Sequence, residues 1–244
     1  MFNPLNWEGH RKMSGSSKII KRAYYNPIIS RLFHTSVYCL NRELSQNDCI
    51  LDLGCGADSP VKFSKVKYSV GVEGFQPSLE QSKSKLIHDD YLNGDLRFLN
   101  FKERSFDVVI LIEVLEHLSE KDGNLLLQKA EVWARRKVIM STPNGYLPQS
   151  DIDGNVYFKH LSGWGIAQMK LRGYLAYGMA GLKSLRKENN YVDQHDTGVL
   201  STVRFRPKLF WLIISELSQI ITYYLPELAF EVFYVKRFGV DDKW

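Results

Sequence analysis

Four acidic residues stand where short runs of this chain end: Asp52, Glu73 and Glu113 at the ends of apolar runs, and Asp95 at the end of a polar one. Cys49, Ile50, Leu51 and Leu53 read as a short buried strand, and Gly54 and Gly56 break it where the backbone must turn. A carboxylate inside a strand end, with glycines in the turn, presents backbone N–H groups to a nucleotide-like ligand, although an ordinary strand–loop–helix junction has the same look. The run Tyr68-Ser69-Val70-Gly71-Val72-Glu73-Gly74 is a second strand whose acid lies 21 residues after Asp52. An acid in that place suits a bidentate grip on two ribose hydroxyls. Gly94-Asp95 could meet an adenine edge, with Asp89 and Asp90 as competing acids just upstream. Residues 105–112 form a nearly continuous apolar run, as in a parallel strand buried on both faces, and Glu113-Val114-Leu115-Glu116-His117-Leu118 follows at once.

Elements that alternate strand and helix must position these residues. Ser119 starts a helix with a capping-box spacing, and Leu126, Ala130 and Trp133 recur on one face of it. Arg135-Arg136-Lys137 are expected to close that helix, where the dipole favours positive charge. Val138–Ser141 reads as a fifth strand with Thr142-Pro143-Asn144-Gly145 as its turn, Arg172-Gly173-Tyr174 as the turn into a sixth, and Phe230–Val235 as the last. Such alternation implies a parallel sheet with right-handed crossovers, whose ligands sit beyond the carboxyl ends of the strands.

The ordered set DLGCG, VGVEG, GD, SFDVVILIEVLEHL and VIMSTPNG, over about residues 45–180, closely resembles the class I S-adenosylmethionine (SAM)-dependent methyltransferases, and most of all their type 11-like small-molecule branch. The resemblance implies an α/β fold: a Rossmann-like, mostly parallel sheet with an antiparallel last strand and helices on both faces. It implies SAM as cofactor. Asp52, Gly54, Cys55 and Gly56 then form the loop beneath the methionine part, Glu73 and Gly74 hold the ribose, Asp95 meets the adenine amino group, and Glu113 lies beside the methionyl ammonium. Asp58 stands where the family often has a third glycine. Cys55 also reads simply as a small residue that packs well.

Other classes fit less well. Ser59 takes the sixth position from Gly54, so the dinucleotide fingerprint of an NAD-dependent oxidoreductase fails. Glu113-Val114-Leu115-Glu116 replaces the Asn-Pro-Pro-aromatic turn of enzymes that methylate a flipped base, and no basic stripe marks the core, so nucleic acid is disfavoured as a partner. A non-catalytic SAM-binding scaffold would look the same in sequence. Methyl transfer requires alignment and exclusion of water more than a catalytic triad. Two histidines are candidates for proton removal from an acceptor hydroxyl. His117 is expected one helical turn beyond Glu113 on a shared face; His160 is expected on an acceptor-facing loop, or equally as a cap or a partner of a backbone carbonyl. Asn144 is expected to orient a polar acceptor.

The composition, 44% hydrophobic and 24% charged residues, is ordinary for a globular enzyme. Three unpaired-looking cysteines (Cys39, Cys49, Cys55) suggest a reducing, cytoplasmic setting, and no Cys-x-x-Cys or His-Glu-x-x-His spacing suggests a metal. The whole net charge of +5 arises within residues 1–45, which carry Arg11, Lys12, Lys18, Lys21, Arg22, Arg31 and Arg42 against Glu8 and Glu43. That balance favours anionic ligands or a membrane surface, and an acid-poor start is also compatible with a transit peptide. Residues 1–45 are read as a basic helical arm and 46–244 as the methyltransferase domain, with an added helical segment at about 182–228. Asn26-Pro27 should open an amphipathic helix in the arm, with Arg22, Tyr24 and Tyr25 available to line a site. Residues 207–225 form a strongly apolar helix, interrupted by Ser215, Glu216, Ser218 and Gln219 and stopped by Pro226. It is too broken for a membrane span, which leaves a packed lid or a peripheral membrane contact, with a small-molecule or lipid-like acceptor suited to its aromatic residues.

Overall fold

A computed structural model describes residues 26–149, 156–187 and 202–239; the expectation for Arg22, Tyr24 and Tyr25 lies outside them. Helices α1 (Pro27–Leu32) and α2 (Ser36–Glu43) precede β1 (Cys49–Leu53), β2 (Tyr68–Glu73), α3 (Gln76–Ser84), β3 (Asp90–Asn93) and β4 (Phe106–Ile112). Then come α4 (Glu120–Trp133), β5 (Ala134–Pro143), α5 (Ile166–Leu171), β6 (Leu175–Leu182), α6 (Lys208–Thr222) and β7 (Ala229–Arg237). One seven-stranded sheet has the order β3-β2-β1-β4-β5-β7-β6, with β7 antiparallel to both neighbours and the remaining pairs parallel.

Strand register places the acids. Leu53 pairs with Val72, Asp52 with Ile110, and Glu73 with Asn93. Gly54, Glu73, Asn93 and Ile112 are therefore level along one edge of the sheet, with Asp95 and Glu113 just beyond it. Because successive strand residues face opposite ways, β4 feeds two cores. Val109 and Leu111 pack with Leu126, Leu127, Ala130 and Trp133 of α4, while Val108 and Ile110 pack with Cys39 and Leu40 of α2. The latter contact builds α2 into the sheet's own core.

Local signals act as read at both helix starts. Asn26 Oδ1 accepts from the amides of Ile28 and Ile29, and Ser119 Oγ accepts from the Asp122 amide at 3.1 Å. The basic run behaves differently from expectation. The helix stops at Trp133, and Arg135–Lys137 already belong to β5. Acids outside the helix draw these cations into the strand: Arg135 binds Asp107, Arg136 binds Asp48, and Lys137 binds Glu43.

Helix α6 packs with an unusual polarity. Ser215, Ser218, Gln219 and Thr222 are buried, whereas Leu209, Phe210, Ile213, Leu217, Ile220 and Ile221 are exposed. The cause is the edge strand β6, whose pairing with β7 breaks between Met179 and Leu182. Gln219 accepts from the Gly181 amide and donates to the Gly178 carbonyl, both at 2.9 Å, and Ser218 Oγ accepts from the Leu182 amide at 2.9 Å. The polar face of α6 thus satisfies backbone groups that an open sheet edge would leave unpaired. Gly178 and Gly181 permit the approach, since a Cβ at either would lie 2.0 Å from a carbonyl oxygen of α6.

Glu43 joins α2 to two strands through Lys137 at 3.1 Å and Arg237 at 2.6 Å. Burial alone would raise its pKa, but these two cations outweigh burial and hold it below the usual value. A lowered folded-state pKa stabilises above the unfolded value and is lost as pH falls through the folded one. Glu43→Gln should therefore cost about 3 kcal/mol in urea denaturation at pH 7, the scale of a broken buried ion pair. The difference from the unsubstituted protein should shrink as pH is lowered below about 4.

Candidate active site

The loop after β1 is held from below. Asp52 is 2% exposed; its Oδ2 accepts from Ser59 Oγ at 2.5 Å and lies 3.2 Å from His88 Nε2. Ser59 in turn caps the short turn Pro60–Phe63. Asp52 thus shapes the loop from beneath it, and His88 reaches that carboxylate only because Gly71 has no Cβ, which would meet the His88 ring at 2.4 Å. Gly54 (φ +69°) and Gly56 (φ +57°) take left-handed conformations. An added Cβ at Gly54 would meet Val114 at 2.6 Å, whereas at Gly56 it would meet nothing within 4 Å. One glycine is packed; the other faces open space. Cys55 is buried between them, where burial pushes its thiol up. Asp58 is tied to Lys62 and Lys85, so the position that is often glycine in the resembled family anchors the end of the loop by charge.

Glu73 clasps that loop. Its Oε2 accepts from the Gly56 amide at 2.9 Å and its Oε1 from the Phe75 amide at 2.7 Å. Burial raises its pKa, opposed by these amide donors. Each carboxylate oxygen keeps acceptor capacity for further donors such as ribose hydroxyls. Gly74 lies against the Tyr157 ring, 3.3 Å from where its Cβ would be. Asp95 sits past β3, and its hydrogen bonds with Arg97 hold its carboxyl below the usual value. Asp89 and Asp90 are removed from contention as adenine contacts: they bond Ser69 and Tyr68 at the opposite, amino end of β2.

Beyond β4 the geometry departs from the expected helix. Glu113 is left-handed (φ +54°), with its side chain receiving a 2.7 Å hydrogen bond from Ser141 Oγ and its amide donating to the Ser141 carbonyl. Leu115–His117 form a single 3-10 turn. Glu113 and His117 therefore do not share a helical face, because the reversal at Glu113 separates them. His117 instead meets His160, with ring centroids 4.7 Å apart. Burial lowers both imidazole pKa values, that of His117 to about 3, so both rings are neutral at pH 7. The two histidines weighed separately in sequence form one cluster, and Glu116, which carried no role there, completes it. Asn144 does not reach toward an acceptor: its Nδ2 donates to the carbonyls of Pro226, Glu227 and Ala229, fixing the start of β7. Ser141, His88 and Tyr157 also gave no sequence signal, since each acts through a partner distant in the chain.

Residues 51–137 match the family model described as "Methyltransferase domain", type 11. Residues 51–137 are thus a SAM-dependent methyltransferase domain. Its fold is similar to that of a methyltransferase from the complex with the Haloferax volcanii Trm112 methyltransferase activator, at 13% identity and TM-score 0.53 over 90% of this chain and 93% of that one. It is also similar to magnesium protoporphyrin IX methyltransferase of Synechocystis, solved with S-adenosylhomocysteine, at 13% identity and TM-score 0.50 over 95% and 90% of the two chains. A third similar structure is YcgJ of Bacillus subtilis, at 13% identity and TM-score 0.50 over 84% and 100%. No curated protein matches this methyltransferase in sequence.

The residues present fit SAM. Gly56 leaves room above the loop, and Glu73 and Asp95 stand along one edge for hydroxyl and amino donors. Bound there, SAM supplies a methyl group already activated by its sulfonium charge. Glu73→Ala should weaken SAM binding by about 1.5–3 kcal/mol, the scale of lost hydrogen bonds to a charged group, in a calorimetric titration. Unchanged affinity would contradict the assignment of the ribose acid.

Proposed function

We propose that this methyltransferase acts on a small, lipid-like acceptor that it meets at a membrane surface. The observation that supports this reading is the outward apolar face of α6: Leu209, Phe210, Ile213, Leu217, Ile220 and Ile221 are all exposed on a helix whose polar side is committed to β6. Contiguous exposed apolar surface of this kind suits an apolar ligand or an interfacial position. Exposed Arg204 and Arg206 lead into its first turn, and the basic residues of the first 45 positions add charge of the sign that anionic headgroups attract. Among the described residues no helix is long and apolar enough to cross a membrane.

In the transfer itself, Glu73 and the Gly54–Gly56 loop would hold the cofactor, and Glu113 would orient its methionyl end. The segment around Tyr157 and His160 would cover the acceptor side against water. Incubation with methyl-labelled SAM and a lysate of the source cells, followed by separation into lipid, small-soluble and macromolecular fractions, tests the reading. Label should enter the lipid fraction, vanish with Glu73→Ala, and fall severalfold with Ile213→Glu/Leu217→Glu, a pair of exposed positions that leaves SAM affinity unchanged. Label confined to the aqueous fractions and insensitive to the α6 substitutions would contradict it.

A further inference from the structure

We infer that Glu116, His117 and His160 form a binding site for one divalent metal ion of the zinc, iron or manganese class. One ligand atom from each residue lies within 4.8 Å of those of the other two. The set is two imidazoles and one carboxylate, a donor combination that binds such cations while leaving coordination positions open for water or substrate.

Two independent features point to a cation here. The first is Glu116. It is 1% exposed, and neither Oε1 nor Oε2 has a hydrogen-bond partner. A buried carboxylate without donors is among the most expensive arrangements in a protein and calls for a compensating charge. Buried Glu231 on β7 adds a second acid to the surroundings of Glu116. No arginine or lysine is hydrogen-bonded to Glu116 among the described residues.

The second feature is the orientation of the histidines. His160 Nδ1 lies 2.6 Å from the Leu147 carbonyl and His117 Nδ1 lies 3.3 Å from the Lys159 carbonyl. A carbonyl only accepts, so each Nδ1 carries the proton and each neutral ring has its lone pair on Nε2. A backbone carbonyl holding the far nitrogen is the usual outer support of a metal-bound imidazole. The backbone also fixes the carboxylate's own turn, because the Glu116 carbonyl accepts from the amides of Leu161 and Ser162 at 2.7 and 3.1 Å. These bonds fasten the segment that carries His160 directly to the turn that carries Glu116 and His117.

The site lies on the turn that follows Glu113, at the carboxyl edge of the sheet where the cofactor residues gather. A cation there would take an oxygen of the acceptor into an open position and lower the pKa of a hydroxyl. It would thereby direct transfer to oxygen, with the hydroxyl proton passing to solvent water and the methyl–sulfur bond of the sulfonium breaking as the oxygen–methyl bond forms. That use rests on the methyl-transfer reading above; the metal site itself does not.

The test is calorimetric titration of the full-length, chelator-treated protein with Zn²⁺ and with Mn²⁺, with metal content after dialysis as a second readout. One equivalent of at least one of the two should bind. Glu116→Gln and His160→Asn should each weaken it on the order of a hundredfold or more, since outer support alone is worth 10–100-fold. Asn retains a donor for the Leu147 carbonyl, and unchanged SAM affinity in both variants shows that the fold survives. Failure of both metals to bind, or binding that both variants retain, would overturn the proposal. Metal binding with label confined to the aqueous fractions would uphold the site while removing the lipid-like acceptor.

Discussion

The Glu73 carboxylate accepts one amide from the loop after β1 and another from the start of the chain after β2, and the cofactor edge depends on that double clasp. The clasp adds two side-chain bonds to the Cys55 amide's own bond to the Val72 carbonyl at 2.9 Å, which already joins the loop after β1 to β2. With it, the Gly56 amide, the open space above Gly56 and the carboxylate itself stand as one unit. Asp52 and Ser59 brace the same loop from the interior, and Gly54 is pressed against Val114 from the β4 side. Preorganisation of this kind matters more here than any acid or base, because the transferred methyl is activated before it enters the site.

The sheet, and the single edge at which the candidate cofactor acids gather, were legible in sequence because both are governed by local rules. Apolar runs set the strands, glycines set the turns, and the parallel register carries Glu73, Asp95 and Glu113 to one edge without further information. What escaped depends on contacts between distant segments. His117 and His160 were legible one at a time, yet their pairing is made by the segment that hangs from the Glu116 carbonyl. Arg135–Lys137 obeyed the helix-dipole rule in sequence, but three acids on other elements claimed them for β5. Glu113 defeated a periodicity argument by adopting a left-handed backbone, which a side-chain pattern does not register.

Helix α6 carries the same lesson in the opposite direction. Its sequence is amphipathic, and a helix in water normally buries its apolar side. The break in β6 reverses that preference, because unpaired backbone groups at a sheet edge are costly and Ser218 and Gln219 supply their partners. The apolar face then lies outward, on the side of α6 turned away from β6.

The most direct test of the account is a crystal structure with S-adenosylhomocysteine bound. We expect both ribose hydroxyls on the Glu73 carboxylate, the amino-acid end over Gly54–Gly56 and the adenine beside Gly94 and Asp95. Ligand bound away from this edge, or a ribose that leaves Glu73 engaged only with Gly56 and Phe75, would contradict it.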